Sequence, residues 1–194
     1  MSALLTPPRP IVGDLYDPAA PEPEFRFEVI DGRVVRRTTG FRETRLASVL
    51  HELLAPVVRA SGVGESYVDA GFLIPPRNKG RKPDVSVLTF DRWPKGRAFP
   101  DGDFIPVVPD LAVEVVSPND TAREVYAKVR EYLRGGVRVV WLVYPDEAEV
   151  HVRTAAGDDR TLTRDDTLTA DPVVPGFALP LSDLFPPADS PPAQ

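Results

Sequence analysis

Residues 109–118 read Pro-Asp-Leu-Ala-Val-Glu-Val-Val-Ser-Pro, and from 111 to 116 every residue except Glu114 is apolar. Such a run predicts a strand covered on both faces, as in the middle of an α/β sheet. The carboxylate inside it narrows the choices. An unpaired carboxylate taken out of water costs roughly several kcal/mol, so Glu114 calls for a partner. That partner is either an arginine in a structural ion pair or a cation, and the strand alone leaves both open.

The 194 residues suffice for one domain with a substantial core. The reading is an extended arm over 1–24, a single domain over 25–185 and a disordered tail over 186–194. The absence of cysteine excludes a disulfide framework and a Cys-based zinc site. His51 and His151 are too few and too far apart for a histidine metal cluster. The net charge of −6 argues against a broad basic surface for nucleic acid but leaves room for a local basic stripe. No run is long enough to cross a membrane, and the first residues lack a signal peptide's basic start and apolar core, so a soluble cytoplasmic protein is expected.

Residues 25–30 alternate, Asp31-Gly32 is a hairpin turn, and 33–37 form the returning strand. Leu46, Val49, Leu50, Leu53, Leu54, Val57 and Val58 recur at helical spacing and predict one core-facing stripe. Pro56 is expected to kink or end that helix, with Ser61-Gly62 as its stop. His51 falls off the stripe and reads as a surface residue. Residues 65–74 predict a strand with a bulge at Gly71. A basic loop, 77–82, leads into a strand over 83–88. The Glu114 strand ends in turn chemistry at Ser117-Pro118-Asn119-Asp120. A helix over 121–134 follows, with Thr121 and Glu124 in a capping-box pattern and Gly135-Gly136 as its end. Its core face is Ala122, Val125, Tyr126, Val129, Tyr132 and Leu133. A second buried strand spans 137–143, and 148–153 pairs with it.

Three residues carry the candidate chemistry. Asp84 opens a strand, Glu114 interrupts another, and Lys128 flanks the apolar stripe of the next helix beside Tyr132 and Glu124. Two carboxylates at neighbouring strand ends can hold Mg²⁺, and a lysine beside the ion can orient or deprotonate a water. Each has a plainer reading: Asp after Pro is common turn chemistry, and Glu124 with Lys128 makes an i, i+4 surface pair. It is the order of the parts that points to a site.

That order resembles a known family. Lys82-Pro83-Asp84-Val85, then Leu111-Ala112-Val113-Glu114-Val115-Val116-Ser117-Pro118, then Lys128 with Tyr132-Leu133 and Gly135-Gly136-Val137, then Val139-Val140-Trp141-Leu142-Val143, is similar to the Uma-type family of proposed restriction endonucleases (domain of unknown function 820) in the PD-(D/E)xK nuclease superfamily. Phe27-Glu28-Val29-Ile30-Asp31-Gly32 and Pro175-Gly176-Phe177-Ala178-Leu179-Pro180-Leu181 extend the likeness to about residues 25–185. The chain departs from the pattern in three places. The usual Glu-x-Lys would put lysine at 116, where Val116 stands, so the resemblance moves that role to Lys128. Tyr144 replaces a frequent Asp, and Glu43 replaces a frequent His.

The resemblance implies a restriction-endonuclease-like α/β core, a mixed β-sheet flanked by helices. It implies a DNA endonuclease using Mg²⁺ or Mn²⁺, with Asp84, Glu114 and the Val115 carbonyl as ligands and Lys128 on the attacking water. Glu43 is a candidate additional acid. Arg77, Lys79, Arg81 and Lys82, with Arg92, Lys95 and Arg97 beyond, form a local basic stripe suited to a phosphate backbone. A homodimer would match the two strands of a duplex. The alternative is a catalytically inactive member kept as a nucleic-acid-binding or assembly module.

Overall fold

The structure is a computed structural model that describes residues 27–30, 33–36, 40–75 and 79–186. The predicted arm over 1–24, the Asp31-Gly32 turn, Arg77 and the tail beyond Pro186 lie outside the described residues.

In chain order the elements are β1 (Phe27–Ile30), β2 (Arg33–Arg36), α1 (Phe41–Ser61), β3 (Gly64–Val68), β4 (Phe72–Ile74), β5 (Lys79–Arg81), β6 (Val85–Thr89), β7 (Leu111–Val115), α2 (Ala122–Gly135), β8 (Val139–Tyr144), β9 (Glu149–Thr154), β10 (Arg160–Leu162), β11 (Thr167–Ala170), β12 (Val174–Pro180) and α3 (Leu181–Leu184). Six strands form a mixed sheet in the order β10-β9-β8-β7-β6-β3, in which β7 and β8 are parallel and the other neighbours antiparallel. A parallel pair needs a crossover, and α2 supplies it. A second sheet, β2-β1-β5-β4, and the hairpin of β11 and β12 complete the strands. This is the expected mixed sheet with flanking helices.

Strand alternation sorts the two faces of the large sheet. Leu111, Val113 and Val115 of β7, with Val139, Trp141 and Val143 of β8, pack with Leu46, Leu50, Leu54 and Val58 of α1. Ala112, Val140 and Leu142 face the other way and pack with Val129 and Tyr132 of α2 and Phe72 and Ile74 of β4. Glu114, two residues after Ala112, therefore points to the α2 side.

Helix α1 runs through Pro56 to Ser61 rather than ending there, and Gly62 caps it at φ 66°. Pro56 lies on the exposed face, as does Glu52, whose carbonyl loses its helical partner to the proline ring. Water can take that carbonyl's bond. Leu53 falls outside the stripe at 40% exposure. His51 is half-buried, not free on the surface, with Nε2 3.3 Å from Ser66 Oγ.

The strand expected over 65–74 is two strands in two sheets. The chain turns between them at Asp69, whose φ is 52°. Gly71 is required there by a close approach: a Cβ would lie 1.9 Å from the Asp103 carbonyl oxygen. In α2, Tyr126 is 64% exposed and Ala122 is exposed, so the buried face narrows to Val129 and Tyr132.

Candidate functional site

Glu114 is fourth in β7 and 8% exposed. Helix α2 answers it from above. The Thr121 and Glu124 capping box fixes the start of the helix, and Gly136, at φ 99°, closes its end. Between them, Val129 and Tyr132 set the buried face, and Lys128 lies one helical turn from Tyr132 on its edge. Lys128 Nζ donates to Glu114 Oε2 at 2.6 Å, and Tyr132 OH donates to Glu114 Oε1 at 2.6 Å. The partner that the strand demanded is thus a lysine and a tyrosine, not an arginine.

Asp84 stands just before β6, at 7% exposure. Its backbone N–H donates to the Val113 carbonyl at 2.9 Å, and its Oδ2 accepts from the Val115 N–H at 2.7 Å. It brackets Glu114 from the neighbouring strand. A fifth side chain enters from the other sheet. Glu28 of β1 is 1% exposed, with Oε1 3.2 Å from Lys128 Nζ and Oε2 3.0 Å from an Arg81 guanidinium nitrogen. Arg81 continues to Glu131, and Lys79 Nζ reaches Glu131 at 2.6 Å.

Burial pushes the Glu114 carboxyl up to about 7, with Lys128 opposing and the charges of Asp84 and Glu28 assisting. Burial alone would pull the Lys128 ammonium down, but Glu114 and Glu28 outweigh it and hold it above its ordinary value. Burial, then Glu114, raises the Tyr132 phenol, so it stays a donor. A cavity of about 30 Å³ opens here, lined among others by Glu114, Asp120, Glu124, Lys128, Tyr132 and Leu142. That is room for an ion or a water, since one water needs about 10–15 Å³ on this measure.

Asp84 and Glu114 are buried carboxylates whose charges act on each other, and oxygen ligands of this kind suit a hard divalent cation; the cavity itself is lined by Glu114 and not by Asp84. Among the described residues no three His, Cys, Asp or Glu side chains converge as a ready-made metal cluster. The fit therefore rests on Asp84, Glu114 and a backbone oxygen such as the Val115 carbonyl.

The structure brings Asp84, Glu114 and Lys128 together. Glu43 is buried in the first turn of α1, and its Oε2 lies 2.2 Å from where a Cβ on Gly40 would be. The basic stripe is also redistributed. Arg81, 3% exposed, and Lys79 serve Glu28 and Glu131. Lys82 lies over the Phe27 and Phe104 rings. Arg92 pairs with Asp110, Lys95 lies over Phe90, and Arg97 covers Trp93. These six side chains are drawn to the protein's own groups. Glu28 was missed by sequence reasoning. The signal was there, an acid inside the alternating strand Phe27-Glu28-Val29-Ile30, and it is the anomaly that marks Glu114.

A family model described as "Uma2: Putative restriction endonuclease" matches residues 14–182. The fold is similar to the crystal structure of "a putative nuclease belonging to DUF820" from Anabaena variabilis ATCC 29413, with a TM-score of 0.74 at 21% identity over 86% of this chain and 93% of that one. No curated protein matches the sequence. Among the described residues no helix is long and apolar enough to cross a membrane. The family match spans nearly the whole described chain and agrees with the fold, so this chain belongs to the Uma2 restriction-endonuclease-like family.

Proposed function

We propose that the protein is a divalent-metal-dependent endonuclease that hydrolyses phosphodiester bonds in DNA, with Asp84, Glu114 and Lys128 as its catalytic residues. The observation that carries this reading is the delivery of a helix lysine onto a strand carboxylate: Lys128 Nζ lies 2.6 Å from Glu114 Oε2, beside Asp84. The side-chain set of an Asp/Glu/Lys nuclease is present, with its lysine carried on α2.

Asp84, Glu114 and the Val115 carbonyl would hold Mg²⁺ or Mn²⁺. When bound, the ion would stabilise charge on the scissile phosphate and acidify a water. The protein's own groups do the rest. Tyr132 OH keeps Glu114 Oε1 oriented at 2.6 Å. Glu28 gives Lys128 a second carboxylate, so the ammonium has an anchor when Glu114 turns to an ion. From that anchor Lys128 donates to the attacking water or to a phosphate oxygen, which aligns the nucleophile.

Calorimetric titration with Mn²⁺ tests the assignment. Wild-type protein is expected to bind the ion, and Glu114→Gln to weaken it at least tenfold while melting no lower without metal above pH 7. A variant that melts far below wild type, or a wild type that binds no Mn²⁺, would make the cluster a structural ion pair. Retained metal and DNA binding with no cleavage of any nucleic acid would favour the inactive binding module.

A further inference from the structure

Lys79, Arg81 and Arg92 are held in ion pairs with the protein's own carboxylates, which leaves the question of what else meets the substrate's phosphates. A groove of about 510 Å³ lies elsewhere. Arg42, Arg45 and Arg164 line its walls, Leu46 and Phe185 are among its apolar residues, and Asp146 is the one acid among its described lining residues. Three guanidiniums against one carboxylate make a local excess of positive charge on a chain of net charge −6.

The guanidiniums are held in different ways. Arg42 pairs with Asp146 and donates to the Pro145 carbonyl at 2.7 Å, and Arg164 Nε donates to the Phe185 carbonyl at 2.8 Å. Arg45 is exposed, and none of the described ion pairs involves it. Two arginines are thus fixed at the walls and a third projects between solvent and groove.

Topology sets the groove at the carboxylate end of the sheet. Strands β7 and β8 are parallel, Glu114 pairs with Leu142, and Val116 N–H donates to the Val143 carbonyl at 2.8 Å. Pro145 and Asp146 follow directly. One strand spacing and four residues of rise put Asp146 at most about 14 Å from Glu114 along the backbone. That is less than half a turn of duplex DNA, roughly 17 Å.

We propose that this groove seats the sugar–phosphate backbone of duplex DNA while a phosphodiester a few nucleotides away occupies the carboxylate site, with the guanidiniums on phosphate oxygens. The inference rests on the nuclease reading and names the surface through which that site takes its substrate. Arginine suits the role because its planar fork matches phosphate oxygens.

The test is fluorescence-anisotropy binding of a labelled DNA duplex over a salt series, with Ca²⁺ replacing Mg²⁺ to prevent cleavage. Arg45→Glu is compared with Arg59→Glu, the same charge change in the last turn of the same helix and about 21 Å further along it. Arg45→Glu is expected to weaken binding at least tenfold and to flatten the slope of log K against log salt by about one. Arg59→Glu is expected to stay within about twofold of wild type, and Mn²⁺ affinity to be unchanged in both. Equal effects of the two substitutions, or no effect of Arg45→Glu, would overturn the groove while metal binding and cleavage by wild type left the nuclease reading intact. A wild type that binds no duplex at low salt would overturn the groove as well. An RNA duplex in a parallel series tells whether the groove serves DNA alone or phosphodiester backbones in general.

Discussion

Asp110 and Glu114 lie four residues apart at the two ends of β7, both buried. Asp110 is 0% exposed, accepts the Thr89 N–H at 2.9 Å, and pairs with Arg92 at 2.8 Å and Arg138 at 3.3 Å. That is a buried carboxylate held between two guanidiniums. Glu114 has a lysine, a tyrosine, two further carboxylates and room for an ion. The difference should appear in titration. A carboxyl raised to about 7 from 4.5 holds its proton to higher pH in the folded chain than in the unfolded one. Its contribution to stability is fully present below about 4.5 and is lost as pH rises to about 7. At ~1.4 kcal/mol per unit the loss approaches ~3 kcal/mol in the metal-free protein. Denaturant midpoints of wild type and Glu114→Gln between pH 4.5 and 8 would check this. The variant should show a flatter profile and overtake wild type above pH 7; parallel profiles would contradict the assignment.

Helix α2 carries two of the four side chains around Glu114, so its seating controls their geometry. Its N-terminal box is complete, with the Glu124 backbone N–H to Thr121 Oγ1 at 3.3 Å and the Thr121 N–H to Glu124 Oε2 at 3.1 Å. Thr121→Ala should cost about 1 kcal/mol of stability, read as a lower urea midpoint at unchanged slope. A change under about 0.3 kcal/mol would mean that packing of Val129 and Tyr132, not the cap, sets the helix start. Elements specified by local chemistry were legible in the sequence: this box, the Gly136 stop, the β7 run and the alternating β1. The turn at Asp69 to Gly71 was not, because what requires Gly71 is the Asp103 carbonyl, a contact made by tertiary folding. The helix through Pro56 was misread because proline's cost depends on which way the residue faces.

The whole molecule places a six-stranded sheet between α1 and α2 and brings a hairpin from a second sheet against the α2 side. Most of the candidate site could be found in the sequence, because Asp84, Glu114 and Lys128 each break a local pattern in an element whose direction is predictable. Glu28 needed the fold, since only the pairing of β1 with β5 at Val29 and Gly80 carries it to Lys128. The electrostatics follow from that assembly. Three carboxylates surround Lys128, and the internal pairing of Lys79 and Arg81 turns the expected basic loop into scaffold. The central claim is that the ammonium delivered by α2 acts on the phosphodiester. The Lys128 side chain is 18% exposed and pairs with Glu28 and Glu114, so removing it leaves two buried carboxylates without their ammonium and lowers stability, a cost the melt measures. The direct measurement is Mg²⁺-dependent cleavage of supercoiled plasmid by wild type and Lys128→Ala, with a melt and a Mn²⁺ titration of each as controls. Wild type is expected to cleave, and Lys128→Ala to lose at least a hundredfold in rate while staying folded and keeping most of its metal affinity. Full activity in Lys128→Ala would contradict the account.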